Sequence, residues 1–165
     1  MTAPLAIRPF DDADWPGVWA ILEPVIRAGE TFPHPVAMSE SAARENWTRT
    51  QLYSYVAEDE TGAIVGAFAM RANQMERGAH VANASYVVAE AARGRGVATA
   101  MCRASQEIAR KAGFRAMQFN LVVATNKGAV KAWTRAGMKI VGLLPKAFNH
   151  RRLGYVDAYV MYTEL

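Results

Sequence analysis

One cysteine, Cys102, stands in the 165 residues, so no disulfide can close within the chain, and three scattered histidines do not assemble a structural zinc site. No apolar run approaches the roughly 18 residues that a membrane-spanning helix needs. Met1 to Asp12 lacks the basic-then-apolar layout of a secretory signal. The expectation is a cytoplasmic protein with no membrane partner and no bound metal. Long runs of like charge are missing too. Asn149-His150-Arg151-Arg152 is the densest basic patch, and a net charge of +4 is too small for a nucleic-acid footprint. Repeats, low-complexity tracts and linkers are absent, so residues 1–165 read as one continuous domain. What is there is a hydrophobic content of 52%, enough for a globular chain with a substantial core.

Periodicity and punctuation divide the chain into short elements. Leu5 to Phe10 reads as a first strand, with Pro9 at its edge or end. Asp14 to Ala28 places Trp15, Val18, Trp19, Leu22, Val25 and Ile26 at helical spacing, and Gly29 suits the C-cap. Two prolines make Glu30 to Met38 a loop, after which Ser39 can cap a helix to about Gln51. Tyr53 to Glu58 and Ile64 to Arg71 flank the hairpin turn Asp59-Glu60-Thr61-Gly62. A strand over Val81 to Ala89 and a helix over Val97 to Lys111 follow. Ala116 to Ala124 is a further strand, Asn126 can cap a short helix ending at Gly137, and strands over Lys139 to Leu144 and Tyr155 to Tyr162 close the chain.

Between the strand ending at Ala89 and the helix starting at Val97 lies Arg93-Gly94-Arg95-Gly96-Val97-Ala98. A glycine-bearing turn into a helix N-terminus presents unpaired N–H groups to an anion, and the helix dipole favours negative charge there. The glycines allow close backbone approach, and Arg93 and Arg95 carry guanidinium groups suited to phosphate. A dinucleotide fingerprint would need glycine or alanine at Thr99, and a P-loop would need Gly-Lys-Ser/Thr; neither is present.

Arg93-x-x-Gly96-x-Ala98 resembles the pyrophosphate-binding signature of the GNAT acetyltransferases, Gln/Arg-x-x-Gly-x-Gly/Ala. Ile7-Arg8-Pro9-Phe10 at the start is similar to the same family. So is Asn126 followed by Ala129, Trp133 and Gly137-Met138, which resembles its Asn-x-x-Ala-x-x-x-Tyr-x-x-x-Gly-Phe region. The likeness runs over almost the full length. It implies an α/β (α+β) fold whose mixed sheet splays between the fourth and fifth strands, with helices on both faces. It also implies acetyl-CoA as co-substrate, with backbone N–H groups from Gly94 through Gly96, Val97, Ala98 and Thr99 on the pyrophosphate. Arg93 and Arg95 would sit beside the phosphates. Tyr86, Val87 and Val88 would offer main-chain groups to the pantetheine and thioester, and Asn126 and Trp133 would face that arm. Asn126 is equally an N-cap.

Trp133 stands where many members carry the tyrosine that protonates the departing thiolate, and an indole N–H is no acid at neutral pH. Tyr86, Tyr155 and Tyr159 are the alternative phenols; a thiol of pKa near ~8.5 also leaves tolerably unaided. Gly78 to Asn83 and Leu153 to Tyr162 resemble yeast acetyltransferases acting on proline analogues such as azetidine-2-carboxylate. On that likeness Asn83, Asn120 and Asn126 surround a small amino or imino acid, and the activity would be a detoxification. The other reading of Asn83 and Asn120 is a pair of buried amides satisfied by backbone. Period-two alternation puts Asn83, Ser85 and Val87 on one face, and Gln118, Asn120 and Val122 on one face. Glu30-Thr31-Phe32 resembles a substrate-lining segment of phosphinothricin acetyltransferases. Glu30 would then bind the substrate ammonium or take its proton through water, or else be a solvated loop carboxylate. Trp15, Trp19 and Cys102 read as core.

The expected activity is direct transfer of an acetyl group from acetyl-CoA to the amine of a small amino- or imino-acid-like molecule, with Asn120, Asn126 and Tyr86 nearest the chemistry. The alternatives are a protein N-terminal or lysine acetyltransferase and a non-catalytic acyl-CoA-binding module. Family analogy implies a homodimer, paired along the exposed edge of the last strand.

Overall fold

The computed structural model describes residues 5–165. Strand β1 (Ala6–Pro9) leads through a short 3-10 turn into helix α1 (Trp15–Ala28), and helix α2 (Glu40–Thr48) follows the expected loop. Strands β2 (Tyr53–Glu58), β3 (Ile64–Ala72) and β4 (Val81–Val88) form an antiparallel meander. Helix α3 (Val97–Lys111), strand β5 (Ala116–Val123), helix α4 (Lys127–Arg135) and strands β6 (Lys139–His150) and β7 (Gly154–Glu164) complete the chain. The strands make one seven-stranded sheet in the order β1-β2-β3-β4-β5-β7-β6. No described helix is long and apolar enough to cross a membrane.

The helices sort onto the two faces by the apolar stripes that the sequence carries. Trp15, Val18, Leu22 and Ile26 of α1 and Ala43 and Trp47 of α2 pack on Ala67, Ala69 and Val87. Cys102 and Ala109 of α3 and Trp133 of α4 pack on Met70, Ala82, Met117 and Phe119 from the other side. Alternation then assigns the remaining strand residues. Arg71, Asn83, Ser85, Gln118 and Asn120 look to the α1/α2 face, and Tyr86 looks to the α3/α4 face.

Three features differ from the sequence reading. Strand β6 runs on to His150, beyond Leu144, because a bulge at Lys146 (φ 51) absorbs Pro145 and the ladder resumes at Phe148. The Lys146 N–H donates to Asp157 Oδ1 at 2.9 Å and pins that bulge. The edge of the sheet is therefore β6, while the last strand, β7, lies between β5 and β6. Val122 leaves the face of Gln118 and Asn120, because the register shifts between Phe119 and Val122 and turns its side chain toward Trp133.

The entry into α1 is held by charge. Arg8 donates a fork of two 2.8 Å bonds to Asp14 and a further pair to Glu58, and Asp14 Oδ2 accepts from the Asp11 N–H at 2.7 Å. The Arg8 fork, ahead of the Asp11 N–H, holds the buried Asp14 carboxyl below its ordinary value. A carboxyl depressed in the folded state stabilises fully above its unfolded pKa of ~3.9, and loses that contribution as pH falls through the lower folded value. Thermal melts between about pH 6 and about pH 3 should therefore fall more steeply for the wild type than for Asp14→Asn, and Asp14→Ala should cost about 2 kcal/mol at neutral pH.

Candidate active site

The sheet opens where β4 and β5 part. Their parallel ladder consists of Val81 with Ala116 and Ala82 with Met117, and no pairing continues beyond it. From Asn83 onward β4 is bonded on its β3 side alone, so a wedge widens toward the C-terminal ends of both strands. Asn73 N–H donates to Val81 O at 2.7 Å and Ala89 N–H to Val65 O at 2.9 Å, which commits the odd-numbered residues of β4 to β3. The even-numbered Ala84, Tyr86 and Val88 turn their N–H and C=O groups into the wedge. Val88 is thus available as expected, whereas Val87 is not. Its carbonyl is turned to β3 beside Gly66, and its side chain is buried beneath α1.

A 3-10 turn over Glu90–Ala92 carries β4 to the phosphate-type turn. Gly94 (φ 75) and Gly96 (φ 82) both take the left-handed conformation, which glycine adopts without steric cost. Gly96 is the N-cap of α3 and supplies no side chain to the first-turn N–H groups; the Ala100 N–H is the one bonded back to Gly96 O, at 3.0 Å. The N–H groups of Val97, Ala98 and Thr99 precede it, without an intrahelical acceptor. A Cβ built at Gly94 or Gly96 would meet no protein atom within 4 Å, so the turn faces open space. Exposed Arg93 and Arg95 flank it. Successive N–H groups in such a turn, at the positive end of a helix of 15 residues, fit a pyrophosphate.

Across the wedge, Asn126 caps α4: its Oδ1 accepts from the Ala129 N–H at 3.2 Å. The cap occupies the amide oxygen, and the amide NH2 is the part that a ligand carbonyl can use. Trp133 is buried, its ring 4.5 Å from Tyr86 and 5.5 Å from Phe119. It fills the α3/α4 side of the wedge as a packing residue.

Tyr86 does not present its hydroxyl to the wedge. Tyr86 Oη lies 2.7 Å from Ser105 Oγ, which itself donates to the Cys102 carbonyl at 2.7 Å, beside Met117. Burial pushes the phenol well above its ordinary value. The acid role expected of it is therefore withdrawn, because the proton is engaged inside the core. Tyr86→Phe should keep acetyl transfer within about threefold of wild type in a CoA-release assay and cost about 1 kcal/mol in stability, the loss of one buried hydrogen bond. Tyr155 is exposed, and Tyr159 packs against the Trp133 cluster. Cys102 is equally interior, with burial pushing its thiol up to about 12, so it is no nucleophile.

On the α1/α2 face the floor of the cleft is polar. Gln118 Nε2 donates to Asn120 Oδ1 at 2.9 Å, and Asn120 Nδ2 donates to Asn73 Oδ1 at 2.7 Å. Asn120 is exposed and is bonded to side chains, which sets aside the reading of a buried amide satisfied by backbone. Asn83 is half-buried on the same face, directly opposite the exposed Arg71 in the β3 ladder. Asn73 and Arg71 were not among the expected site residues. Continuing the alternation of Ala67 and Ala69 past Arg71 puts them on this face, but their proximity to Asn120 depends on how β5 lies beside β4.

The loop after α1 lies on the same face of the sheet as this floor. Phe32 packs into the α1/α2 core, edge-on to Trp47 at 6.5 Å and stacked on His34 at 5.7 Å, and burial pulls the His34 pKa below its ordinary value. Thr31 Oγ1 and Trp47 Nε1 are buried with no hydrogen-bond partner among the described residues. Glu30 is half-buried and ion-paired, not free in solvent and not poised as a base. Arg152 Nε donates to its carboxylate at 2.5 Å, and that bond, reinforced by the charges of Arg152 and Arg93, holds Glu30 below the usual carboxylate range. A carboxyl held down in this way is a weak proton acceptor.

An Acetyltransferase (GNAT) family model matches residues 19–138, well over half of the chain. The chain belongs to the GNAT acetyltransferase family. It is similar to a GCN5-related N-acetyltransferase structure from Kribbella flavida, 41% identical, with a TM-score of 0.91 over 98% of both chains. The N-acetyltransferase aca1 of Schizosaccharomyces pombe is 26% identical over an alignment of 151 residues that covers 82% of this chain and 72% of that protein. A phosphinothricin acetyltransferase from Sinorhizobium meliloti, solved in complex with AcCoA, shares the fold at 22% identity and a TM-score of 0.85, over 100% of this chain and 89% of that one. The GNAT membership makes the splayed sheet an N-acetyltransferase architecture, as the sequence resemblance implied. Among the described residues no cluster of metal-ligating side chains occurs.

Proposed function

We propose that residues 1–165 act as one acetyl-CoA-dependent N-acetyltransferase domain on the amine of a small amino- or imino-acid-like molecule. The observation that carries this reading is the pairing of two features at one wedge: an unpaired β4 edge that leads into a glycine turn, and an amide floor on the opposite side of the sheet.

Acetyl-CoA, when bound, supplies an activated acyl carbonyl to the acceptor's amine. The N–H groups of Gly94 to Thr99 hold its phosphates, with Arg93 and Arg95 alongside, and the Asn126 NH2 meets the pantetheine arm. The Val88 N–H, fixed in direction by the β3 ladder, is the donor aimed at the carbonyl oxygen, where preorganised donors act more strongly than water. Asn83, Asn120 and Arg71 hold and orient the acceptor, the guanidinium suiting a carboxylate. Glu30 acts as a fixed anion near an incoming ammonium, which gives up its proton to solvent before the neutral amine attacks and the CoA thiolate departs, and Phe32 lines the same side. No protein acid is assigned to the thiolate, since Trp133 has no acidic proton and the Tyr86 hydroxyl is bonded to Ser105.

The resemblance of Gly78 to Asn83 and Leu153 to Tyr162 to acetyltransferases that act on proline analogues supports a cytoplasmic, detoxifying acetylation of an amino-acid analogue. A second copy of the chain is proposed to pair along β6, the sheet edge, where Ile140, Val141 and Leu143 are exposed. CoA release from acetyl-CoA, followed with a thiol reagent across azetidine-2-carboxylate, proline analogues, common amino acids, phosphinothricin and a short peptide, tests the reading. Turnover of a single amino or imino acid is the expected result. Release with the peptide alone would move the function to protein modification, and tight acetyl-CoA binding without release on any acceptor would favour a non-catalytic acyl-CoA module.

A further inference from the structure

Beyond Ala82 and Met117 no ladder bond joins β4 to β5, so other contacts hold the two halves of the sheet at their separation. On the α3/α4 face those contacts run between two helices that stand on different halves. Helix α3 rests on β3: Val97 and Met101 pack with Val65 and Phe68, and a Cβ built at Gly66 would lie 2.9 Å from Met101 Cε. Helix α4 rests on β5, with the Trp133 ring 5.5 Å from that of Phe119. Each helix follows a strand that ends at the mouth of the wedge, so their N-caps, Gly96 and Asn126, stand on either side of it.

Three side chains of α3 cross to α4, and each donates to a main-chain carbonyl. Thr99 Oγ1 donates to Ala132 O at 3.4 Å, Arg103 Nη2 to Arg135 O at 3.0 Å and Gln106 Nε2 to Ala136 O at 3.0 Å. The donors stand at i, i+4 and i+7, which is one stripe of the helix. Arg135 and Ala136 lie at the C-terminal end of α4, where carbonyls lack an intrahelical partner and the dipole favours a cation. The last carbonyls of α4 are thus satisfied from α3. The stripe lies at the surface of the seam, with Arg103 exposed and Gln106 half-buried, while Cys102, Ala109, Trp133 and Ala136 fill the apolar layer beneath.

We infer that Thr99, Arg103 and Gln106 are positioning residues that fix the phosphate cradle of α3 at a set span from the Asn126 amide of α4. The inference rests on the reading that acetyl-CoA lays its pyrophosphate on the cradle and its pantetheine arm along Asn126. A ligand held at both ends gains from its second contact only where the span between the two sites matches its own reach. Burial of apolar surface is non-directional and leaves the offset of one helix along the other soft. Hydrogen bonds from a side chain to a carbonyl are directional and fix that offset. Removing the donors therefore loosens the span without emptying the core.

Calorimetry with acetyl-CoA and with ADP, which carries a pyrophosphate and no pantetheine arm, separates the span from the cradle. The proteins are wild type, the pair Arg103→Met with Gln106→Met, Gln106→Met alone, Arg103→Lys, and Arg110→Met. The last removes a cation from the far end of α3, where it pairs with Glu107 and touches no part of the seam. The paired variant is expected to bind acetyl-CoA about tenfold more weakly while its ADP affinity stays within about twofold of wild type. Gln106→Met alone should weaken acetyl-CoA by about threefold, and it carries the test if the pair does not fold. Arg103→Lys, which keeps a cationic donor, should lie closer to wild type than the pair, and Arg110→Met should match wild type for both ligands. Equal weakening of acetyl-CoA and ADP in the paired variant would overturn the inference, because lost charge or a loosened helix acts on the cradle itself. Unchanged acetyl-CoA affinity in a folded paired variant would overturn it too, and would leave the cradle reading standing. Failure of ADP to displace acetyl-CoA from wild type would overturn the cradle reading and the inference together.

Discussion

Replacing Gly96 with valine is expected to raise the acetyl-CoA dissociation constant by about 100-fold, and Gly96→Ala by about tenfold. Two physical effects combine. At φ +82 an L-residue is strained by roughly 1–2 kcal/mol, and a β-branched one sits there least well. Any side chain at this position also enters the open space beside the first-turn N–H groups of α3, where no protein atom lies within 4 Å of the new Cβ. Gly113 separates the two effects. It has φ +93 and equally open surroundings, but it follows the other end of α3. Gly113→Val should lower thermal stability by an amount similar to Gly96→Val and leave acetyl-CoA affinity, measured by calorimetry, where it was. Equal loss of affinity in the two variants would mean that general loosening of α3, and not a blocked phosphate cradle, lies behind the result.

Asn120→Ala is expected to lower kcat/KM for the acceptor by about 100-fold while changing stability by less than about 0.5 kcal/mol. The small stability effect follows from exposure, since Asn120 buries little and its partners, Gln118 and Asn73, can turn to water. The large kinetic effect follows from the proposed role of its amide in holding the acceptor against the wedge. Asn73 reaches the site through Asn120, so Asn73→Ala alone should cost about tenfold, and in the Asn120→Ala background it should cost little more. Additive losses would give Asn73 a direct contact with substrate.

The segment that holds the phosphate cradle was legible because its signals are local. Glycines at 94 and 96, the apolar spacing from Val97 and the basic end at Arg110 and Lys111 set helix α3 at Val97–Lys111 without reference to the rest of the chain. Ser39 and Asn126 capped the helices that they were expected to cap, for the same reason. β6 was read too short because Pro145 looks like a stop; the bond from Lys146 N–H to Asp157, eleven residues away in sequence, lets the strand continue. Alternation also contained the correction to Tyr86. If Asn83 and Ser85 face the acceptor, then Tyr86 faces α3, and its backbone rather than its hydroxyl belongs to the wedge. Asn73, Arg71 and the Glu30–Arg152 clasp were out of reach, because each gains its meaning from a strand or hairpin remote in sequence.

The most direct measurement is mass-spectrometric detection of N-acetylated azetidine-2-carboxylate after incubation with acetyl-CoA, in parallel for wild type, Gly96→Val and Asn120→Ala. A product 42 mass units heavier than the substrate, formed by wild type and lost with either substitution, is the predicted result. Acetylation of a peptide N-terminus with no acetylated imino or amino acid would contradict the account.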